Sequence, residues 1–462
     1  MSLPTDPSNV IQPGETCHVT CADIDTSGRG ICRHNNFVLV VAGLLPGEEA
    51  LVKCEYMKKN FCLASLIKII KKSPLRVNPK CSFYSDCGGC SMQEIEPHYQ
   101  FAIKKKLLIN ALSRIGKLND FPEPISITPS QFFHYRNKST FPVYNESYGN
   151  TIIGYYQRNS HKIVDIDNCP VLDHKINKAL SDIRLILKDN HINADHDIRR
   201  KGGLRHISIR SGINTNEVLI TFVSNFSIKK LLFPITNKLN GSESNVVGIL
   251  NNIQPKPNNK IFGATTEILT GRDYIYDKFC HMDILIGSTS FFQVNLVEAE
   301  KAINCIRNII SNTNKIVRII DAYSGIGTMS IPLASDGYRV IGIEINNEAH
   351  EIAIRNAEIN NIKTITFENQ DVTKYLPKIL LPNDFLILDP PRKGLDPSLI
   401  DVITKLMPIH ICYLSCNPAT LARDLSLILR EHKYSIISIT AFDFFPQTTH
   451  LETLVYLKRL TS

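Results

Sequence analysis

Two residues of this chain stand where side chains could do covalent and acid–base work. Cys416 lies in the run Leu414-Ser415-Cys416-Asn417-Pro418, which reads as a strand end turning into a helix. A thiol at a helix N-terminus has its thiolate favoured by the helix dipole and by free backbone N–H groups. Cys412, inside the same strand, reads instead as core. Glu452, beside His450 in HLETLVYL, offers a carboxylate that could take a proton. A surface glutamate on an edge strand fits that sequence equally well. Asp389 opens a third site, the loop Asp389-Pro390-Pro391-Arg392. Two prolines after a buried strand fix an extended loop where open α/β sheets bind ligands.

An apolar strand ending at Asp321 runs into Tyr323-Ser324-Gly325-Ile326-Gly327, with a helix expected from about Thr328. The glycines permit a tight turn and close ligand approach. The next strand ends at Glu344, where a carboxylate can accept hydrogen bonds from both ribose hydroxyls. A third unit brings Asp371 to a strand end, the expected place for adenine recognition. A dinucleotide fold wants a third glycine where this chain has Ser330, and adenosylmethionine carries no pyrophosphate for a helix N-terminus to bind. The pattern therefore favours adenosylmethionine over a nicotinamide cofactor; the plain alternative is a glycine turn that only packs a helix on a sheet. Amine methyltransferases often carry an aromatic after Pro-Pro, and Arg392 in that place disfavours amines. A reactive thiol has a use on carbon. C5 of uracil is a poor nucleophile, and thiolate addition at C6 gives an enolate able to attack a sulfonium methyl. Release then needs a base for the C5 proton.

Cys81-x5-Cys87-x2-Cys90 clusters three thiols in a Gly-rich polar segment, and Cys169, just before Pro170, is the best candidate for a fourth ligand. Zinc sites more often use two separated C-x2-C pairs. Three clustered cysteines plus a distant one before proline come closer to an iron–sulfur pattern. Spacing alone leaves both open. Cys17, Cys21, Cys32, Cys54 and Cys62 are assigned to packing.

These residues need elements to hold them. A chain of 462 residues is too long for one core and implies about two to four domains. Its 43% hydrophobic and 21% charged residues are those of a folded globular protein. Thirteen irregularly spaced cysteines argue against a disulfide framework. The opening residues lack a secretory pattern and no apolar run is long enough to span a membrane, so a cytoplasmic location is expected. A net charge of +8 is compatible with a polyanionic partner. The clusters Lys104–Lys106 and Arg199–Lys201 fit solvated faces as well as phosphate contacts. From about Gly14 to Lys72, short β-rich runs between Gly and Pro turns predict a small five-stranded barrel of the OB type. A helix follows within Glu94–Gly116, then a strand-rich α+β stretch, and from His281 strands alternate with helices, which implies a parallel sheet.

The segments DAYSGIGT, LDPPRKGL, LSCNPATLARD and HLETLVYL together resemble the RNA uracil-C5 methyltransferase family. The resemblance implies a multidomain α/β protein: a C-terminal Rossmann-like methyltransferase domain, an N-terminal OB-like barrel and a central α+β domain with the cysteine cluster. SGRGIC and LLPGEEALVK are similar to a TRAM domain. The implied borders are 10–73 for the barrel, 74–93 with 122–278 for the central RNA-binding domain, and 94–121 with 279–462 for the methyltransferase domain. By the same resemblance Cys416 is the nucleophile and Glu452 the proton acceptor, while Gln293, Tyr323, Glu344 and Asp389, with Asp371, hold S-adenosyl-L-methionine. Phe291 would hold the target base, Arg136 would contact RNA, and Cys81, Cys87, Cys90 and Cys169 would carry a [4Fe-4S] cluster. RNA cytosine-C5 enzymes usually carry Pro-Cys where this chain has Asp389-Pro390-Pro391, which supports uridine. Barrel plus cluster imply the branch acting on 23S ribosomal RNA. The alternatives are transfer RNA as target, or an iron–sulfur RNA-binding protein without catalysis. Neither a membrane nor an obligate protein partner is expected.

Overall fold

The computed structural model describes residues 11–460 apart from 147–149, 191, 198, 200–202, 241–243, 258–259 and 314–315. Arg200 and Lys201 of the second basic cluster thus lie outside the described residues. Strands β1 (Thr16–Ile24), β2 (Gly30–His34), β3 (Phe37–Val41), β4 (Glu49–Met57) and β5 (Phe61–Lys71) close a barrel in the order β1-β2-β3-β5-β4. The two-residue period of a strand sends Cys17, Val19 and Cys21 inward and Thr16, His18 and Thr20 outward. The five barrel cysteines all sit in this core, acting as small hydrophobes.

Helix α1 (Pro97–Arg114) and strand β6 (Ile125–Ile127) follow. Strands β7 (Lys138–Asn145), β8 (Thr151–Tyr156) and β9 (Ile163–Asp165), helix α2 (His174–Asn190), strands β10 (Leu204–Ser211) and β11 (Val218–Ser224), helix α3 (Lys229–Asn240), and strands β12 (Val246–Ile253) and β13 (Thr265–Gly271) come next. Seven of these strands form one sheet, ordered β13-β12-β11-β10-β7-β8-β9. Ile176, Leu180 and Ile183 of α2 and Leu232 and Ile235 of α3 share a core with Ile207, Ile209 and Ile220 of that sheet.

The hairpin β14 (Tyr274–Phe279) and β15 (Met282–Gly287) leads through helix α4 (Leu296–Ser311) into alternating elements. These are β16 (Ile319–Asp321), α5 (Ser330–Ser335), β17 (Val340–Ile343), α6 (Asn347–Ile359), β18 (Ile365–Glu368), α7 (Val372–Ile379), β19 (Phe385–Leu388), α8 (Pro397–Leu406), β20 (His410–Ser415), α9 (Pro418–Ile428), β21 (Tyr434–Phe442) and β22 (Glu452–Arg459). They build an eight-stranded sheet ordered β18-β17-β16-β19-β20-β22-β21-β6. From β18 to β20 the neighbours pair in parallel. Strand order reverses at β16, with β17 on one side and β19 on the other, and such a reversal opens a ligand crevice at the carboxyl ends. The architecture is the expected α/β one, with a barrel ahead of a Rossmann-like sheet.

One expected border falls inside an element, and another leaves a strand of the C-terminal sheet within the central segment. β6 pairs in parallel with β21, so residues 125–127 join the C-terminal sheet and not the central segment 122–278. The β14–β15 hairpin straddles 278/279, and Ile275 and Phe279 pack with Ile284 and Ile286 in the C-terminal core. Helix α1 places Phe101, Leu108 and Leu112 against Leu421 and Leu425 of α9.

The lysine cluster on α1 serves this docking. Lys104 is fully buried, its Nζ 2.6 Å from Asp443 Oδ1 and 3.0 Å from the Phe445 carbonyl. Lys105 pairs with Glu123 at 2.7 Å, and Lys106 with Asp23 of β1 at 2.9 Å. Lys104→Met leaves Asp443 buried without its cation, which should cost about 3–5 kcal/mol. Thermal melting checks this: the single variant melts well below wild type, and adding Asp443→Leu recovers most of the loss. An unchanged melting temperature in the single variant would refute it. No helix among the described residues is long and apolar enough to cross a membrane.

Candidate active site

Strand register brings three acidic groups and a thiol to one sheet edge. Asp321 ends β16, Asp389 follows β19 and Cys416 follows β20, all at carboxyl ends of parallel neighbours. β22 runs antiparallel, so its first residue, Glu452, arrives at the same edge: Thr453 pairs with Ser415 and Glu452 with Phe442. β22 lies between β20 and β21, which removes the edge-strand reading, and Glu452 is only 6% exposed.

The groups act on one another. Burial, then the negative charges of Glu452 and Asp389, push the Cys416 thiol up to about 11, with Arg392 opposing. The helix dipole expected to favour the thiolate is thus outweighed in the free protein. Burial and Asp389 raise the Glu452 carboxyl well above the usual carboxylate range, and Arg392 again opposes. Asp389 is raised to about 7 by burial and by Asp321. Asp321 itself is raised by burial to about 6 although it accepts a 2.5 Å hydrogen bond from Ser330 Oγ. Arg392 is therefore the cation that works in favour of both the thiolate and the Glu452 carboxylate.

Local sequence explains how the thiol is held. Asn417 caps α9, accepting from Ala419 N at 3.0 Å, and Pro418 occupies the first helical turn where a missing N–H costs nothing. Asn417 Nδ2 and Thr420 Oγ1 also donate to the Arg392 carbonyl, at 3.1 and 3.3 Å. Buried Asp424 accepts from Leu395 N at 2.8 Å and from Tyr413 OH at 2.7 Å. The Pro-Pro-Arg loop is thereby fastened to the helix that follows Cys416.

The glycine turn lies beyond β16. Gly325 and Gly327 have φ of +54° and +88°, and a Cβ on Gly327 would stand 2.7 Å from Ile331. Glu344, at the end of β17, accepts from Gly325 N at 3.0 Å and Asn346 N at 2.6 Å, which places its carboxylate over the turn. Asp371 caps α7 through Thr373 N and Oγ1, at 2.9 and 2.8 Å. Tyr323 is raised by burial and then by the charge of Asp371, so these two are neighbours. Phe291 and Gln293 belong to the segment before α4: Arg210 Nη2 donates to the Ser290 carbonyl at 2.7 Å and Asn137 Nδ2 to the Gln293 carbonyl at 3.0 Å. Phe291 is 70% exposed.

Cys81, Cys87, Cys90 and Cys169 line a single cavity of about 230 Å³, together with Arg136 and Tyr155. No group of three or more His, Cys, Asp or Glu among the described residues converges closely enough to hold one metal ion. The thiols surround a space far larger than the ~15 Å³ that admits a single water. Burial first, then the proximity of the other thiols, raises Cys90 to about 11 and Cys169 to about 12. Thiols raised in this way ionise only where a nearby positive charge favours the thiolate. Arg136, half-buried, lines this cavity and donates from Nε to the Lys138 carbonyl at 2.9 Å.

Several supporting residues escape a reading of the sequence. Arg158 donates to the carbonyls of Cys87 (3.2 Å), Tyr84 (3.2 Å) and Cys90 (2.8 Å), stapling the cysteine segment to β8 and β9. Nothing in the sequence marks it. Asn417 had a signal, a cap residue ahead of proline. Arg392 was noticed only for the aromatic it replaces.

The model of the tRNA (uracil-5-)-methyltransferase family matches residues 103–460. An uncharacterized RNA methyltransferase of Parasynechococcus marenigrum is 37% identical over 98% of this chain and 97% of its own length. One from Bacillus cereus is 33% identical over 97% and 98%. Among solved structures, the tRNA (uracil-54, C5)-methyltransferase of Pyrococcus abyssi, in complex with S-adenosyl-L-homocysteine, matches with a TM-score of 0.75 at 28% identity. That match covers 96% of this chain and all of the other.

Proposed function

The chain belongs to the tRNA (uracil-5-)-methyltransferase family, and from that premise we propose that it forms 5-methyluridine in 23S ribosomal RNA through a covalent Cys416–C6 adduct. It is an RNA methyltransferase dependent on S-adenosylmethionine; the ribosomal target and the residue roles are the proposal. The observation that carries it is the meeting of Cys416, Glu452 and Asp389 at one sheet edge beside the glycine turn.

On this reading the target base leaves its stack and rests against exposed Phe291. Arg392 draws the Cys416 thiol toward thiolate, and its sulfur bonds to C6. The methyl comes from the sulfonium of S-adenosylmethionine, held by Gln293, Tyr323, Glu344 and Asp389, with Asp371 toward the adenine. Glu452 then takes the proton from C5, the C5–C6 double bond re-forms, and the C6–S bond breaks to release the thiolate.

The thiol cavity would hold a [4Fe-4S] cluster on Cys81, Cys87, Cys90 and Cys169, in a structural and not a redox role. Anaerobically purified protein should contain iron and acid-labile sulfide in equal amounts, and Cys87→Ser should lose both. Purified protein carrying neither, or stoichiometric zinc instead, would refute the assignment.

Barrel and cysteine segment support a ribosomal target, through resemblance to the ribosomal-RNA branch. The near-complete match to an enzyme of tRNA uracil-54 favours a second reading, transfer RNA. Nucleoside mass spectrometry of separated 23S and transfer RNA from a deletion strain decides between them. 5-Methyluridine should vanish from a 23S fragment; its loss from transfer RNA alone overturns the ribosomal reading.

A further inference from the structure

The turn that delivers Glu452 is built into the rest of the molecule. Between β21 and β22 the chain runs through Gln447, which is 1% exposed and has φ of +72°. A left-handed backbone at a residue other than glycine persists only where its surroundings impose it. Here they do. The Gln447 carbonyl accepts from both Ser91 N and Met92 N at 3.0 Å, and these residues directly follow Cys90. The Gln447 N–H donates to Gln100 Oε1 at 2.8 Å. Gln100 Nε2 in turn donates to Gln447 Oε1 (2.9 Å), Met92 O (3.0 Å) and Ile95 O (3.1 Å). Gln100 is fully buried on α1. Tyr135 OH holds the Pro446 carbonyl at 3.0 Å, and Thr449 Oγ1 reaches the Thr26 carbonyl of the barrel at 2.6 Å.

We infer that Gln100 and Gln447 are positioning residues that lock the segment after Cys90 to the turn before β22 and so set where the Glu452 carboxyl stands. This rests on the reading of Glu452 as the base. Cys416 hangs from β20 and α9, and the ties described there, through Asn417 and Asp424, do not involve this turn. Damage to the lock should therefore separate the two halves of the reaction: the thiol still adds and methyl still transfers, but proton removal and elimination slow. Misplacing a reacting group by about 1 Å can cost about 100-fold.

The test uses the full-length protein, S-adenosylmethionine and total RNA from a deletion strain, which carries the unmodified site. Protein–RNA adduct is read on denaturing gels and 5-methyluridine by mass spectrometry. Gln100→Leu keeps the side chain's bulk but removes all four of its hydrogen bonds. It should form adduct within about threefold of the wild-type rate and resolve it about 10- to 100-fold more slowly. Leu180→Ala, a core truncation on α2 far along the chain from this turn, serves as a control for lost stability and should resolve the adduct normally. Should Gln100→Leu not fold, Gln447→Gly removes only the Gln447 side-chain contacts in a backbone conformation glycine accepts, and should show a smaller delay in the same step. Adduct accumulation in Glu452→Gln but not in the lock variants overturns the inference alone. Normal resolution by Glu452→Gln removes the base assignment and the inference with it. Equal slowing in Leu180→Ala also overturns the inference, since the effect would then be one of stability.

Discussion

Cys416→Ala is expected to bind S-adenosylmethionine as the wild type does and to transfer no methyl group, a loss of at least ~10⁴-fold. The size follows from the chemistry: without a bond at C6 the uracil ring offers no enolate, and no other group at the sheet edge is a comparable nucleophile. Cys412, the next thiol along β20, is fully buried and pushed still further from ionisation, so it cannot substitute. The wild-type rate of adduct formation carries a second signature. Because the Cys416 thiol is raised to about 11, its thiolate fraction grows with pH, roughly tenfold per unit below that value. Glu452 is raised too and must be ionised to serve as base, so the later proton-removal step also gains as pH rises. Single-turnover rates should therefore climb from neutral into alkaline pH, with no descending limb from either group. Full methyl transfer by the alanine variant would end the mechanism, and a flat pH profile would show that the thiol is ionised by some other means.

Glu452→Gln should trap the reaction midway. Methyl transfer precedes the step that needs a base, so the variant should accumulate a covalent protein–RNA complex stable to denaturation, with turnover reduced about 10²- to 10⁴-fold. The electrostatics add a sharper expectation. After burial, Glu452 is the largest influence raising the Cys416 thiol. Removing its charge lowers the thiol, so the adduct should form at least as fast as in the wild type while failing to break down. A variant that is slow in both steps would fit general damage to the site instead. Product release at the wild-type rate would assign the proton to another group.

How much of this was legible in the sequence depended on distance along the chain. The strand-to-helix turn at Cys416, the glycine turn and the carboxylate at Glu344 were legible because each is local: one strand, a few turn residues and a helix cap. The position of Glu452 was not. An edge strand and an interior strand carry the same apolar run, and only the pairing of β22 with both β20 and β21 distinguishes them. Lys104 escaped for the same reason: three consecutive lysines fit a solvated face or a phosphate contact alike until Asp443, 339 positions away, is placed against one of them. The raised pKa of Cys416 also escaped, since the dipole of α9 is local and the opposing carboxylates come from other strands. The expected border at 278/279 cuts β14, because the pairing of that strand with β15 is a tertiary fact that the local sequence does not carry.

The reversal of β22 has a consequence of its own. In a wholly parallel sheet the carboxyl edge receives only strand endings, and each further reactive group must arrive on a loop whose length and mobility can drift. One inverted strand brings a strand's beginning to that edge. The antiparallel register, whose last pair is Ser415 with Thr453, carries Cys416 just past the ladder to the position opposite Glu452, so the two lie about one interstrand repeat of ~4.8 Å apart along the backbone. The sheet acts as a ruler between the residues proposed for the first and last steps. A one-residue slip within β22 would turn Glu452 to the opposite face, so descent can reshape the surrounding loops far more freely than the count of residues along that strand.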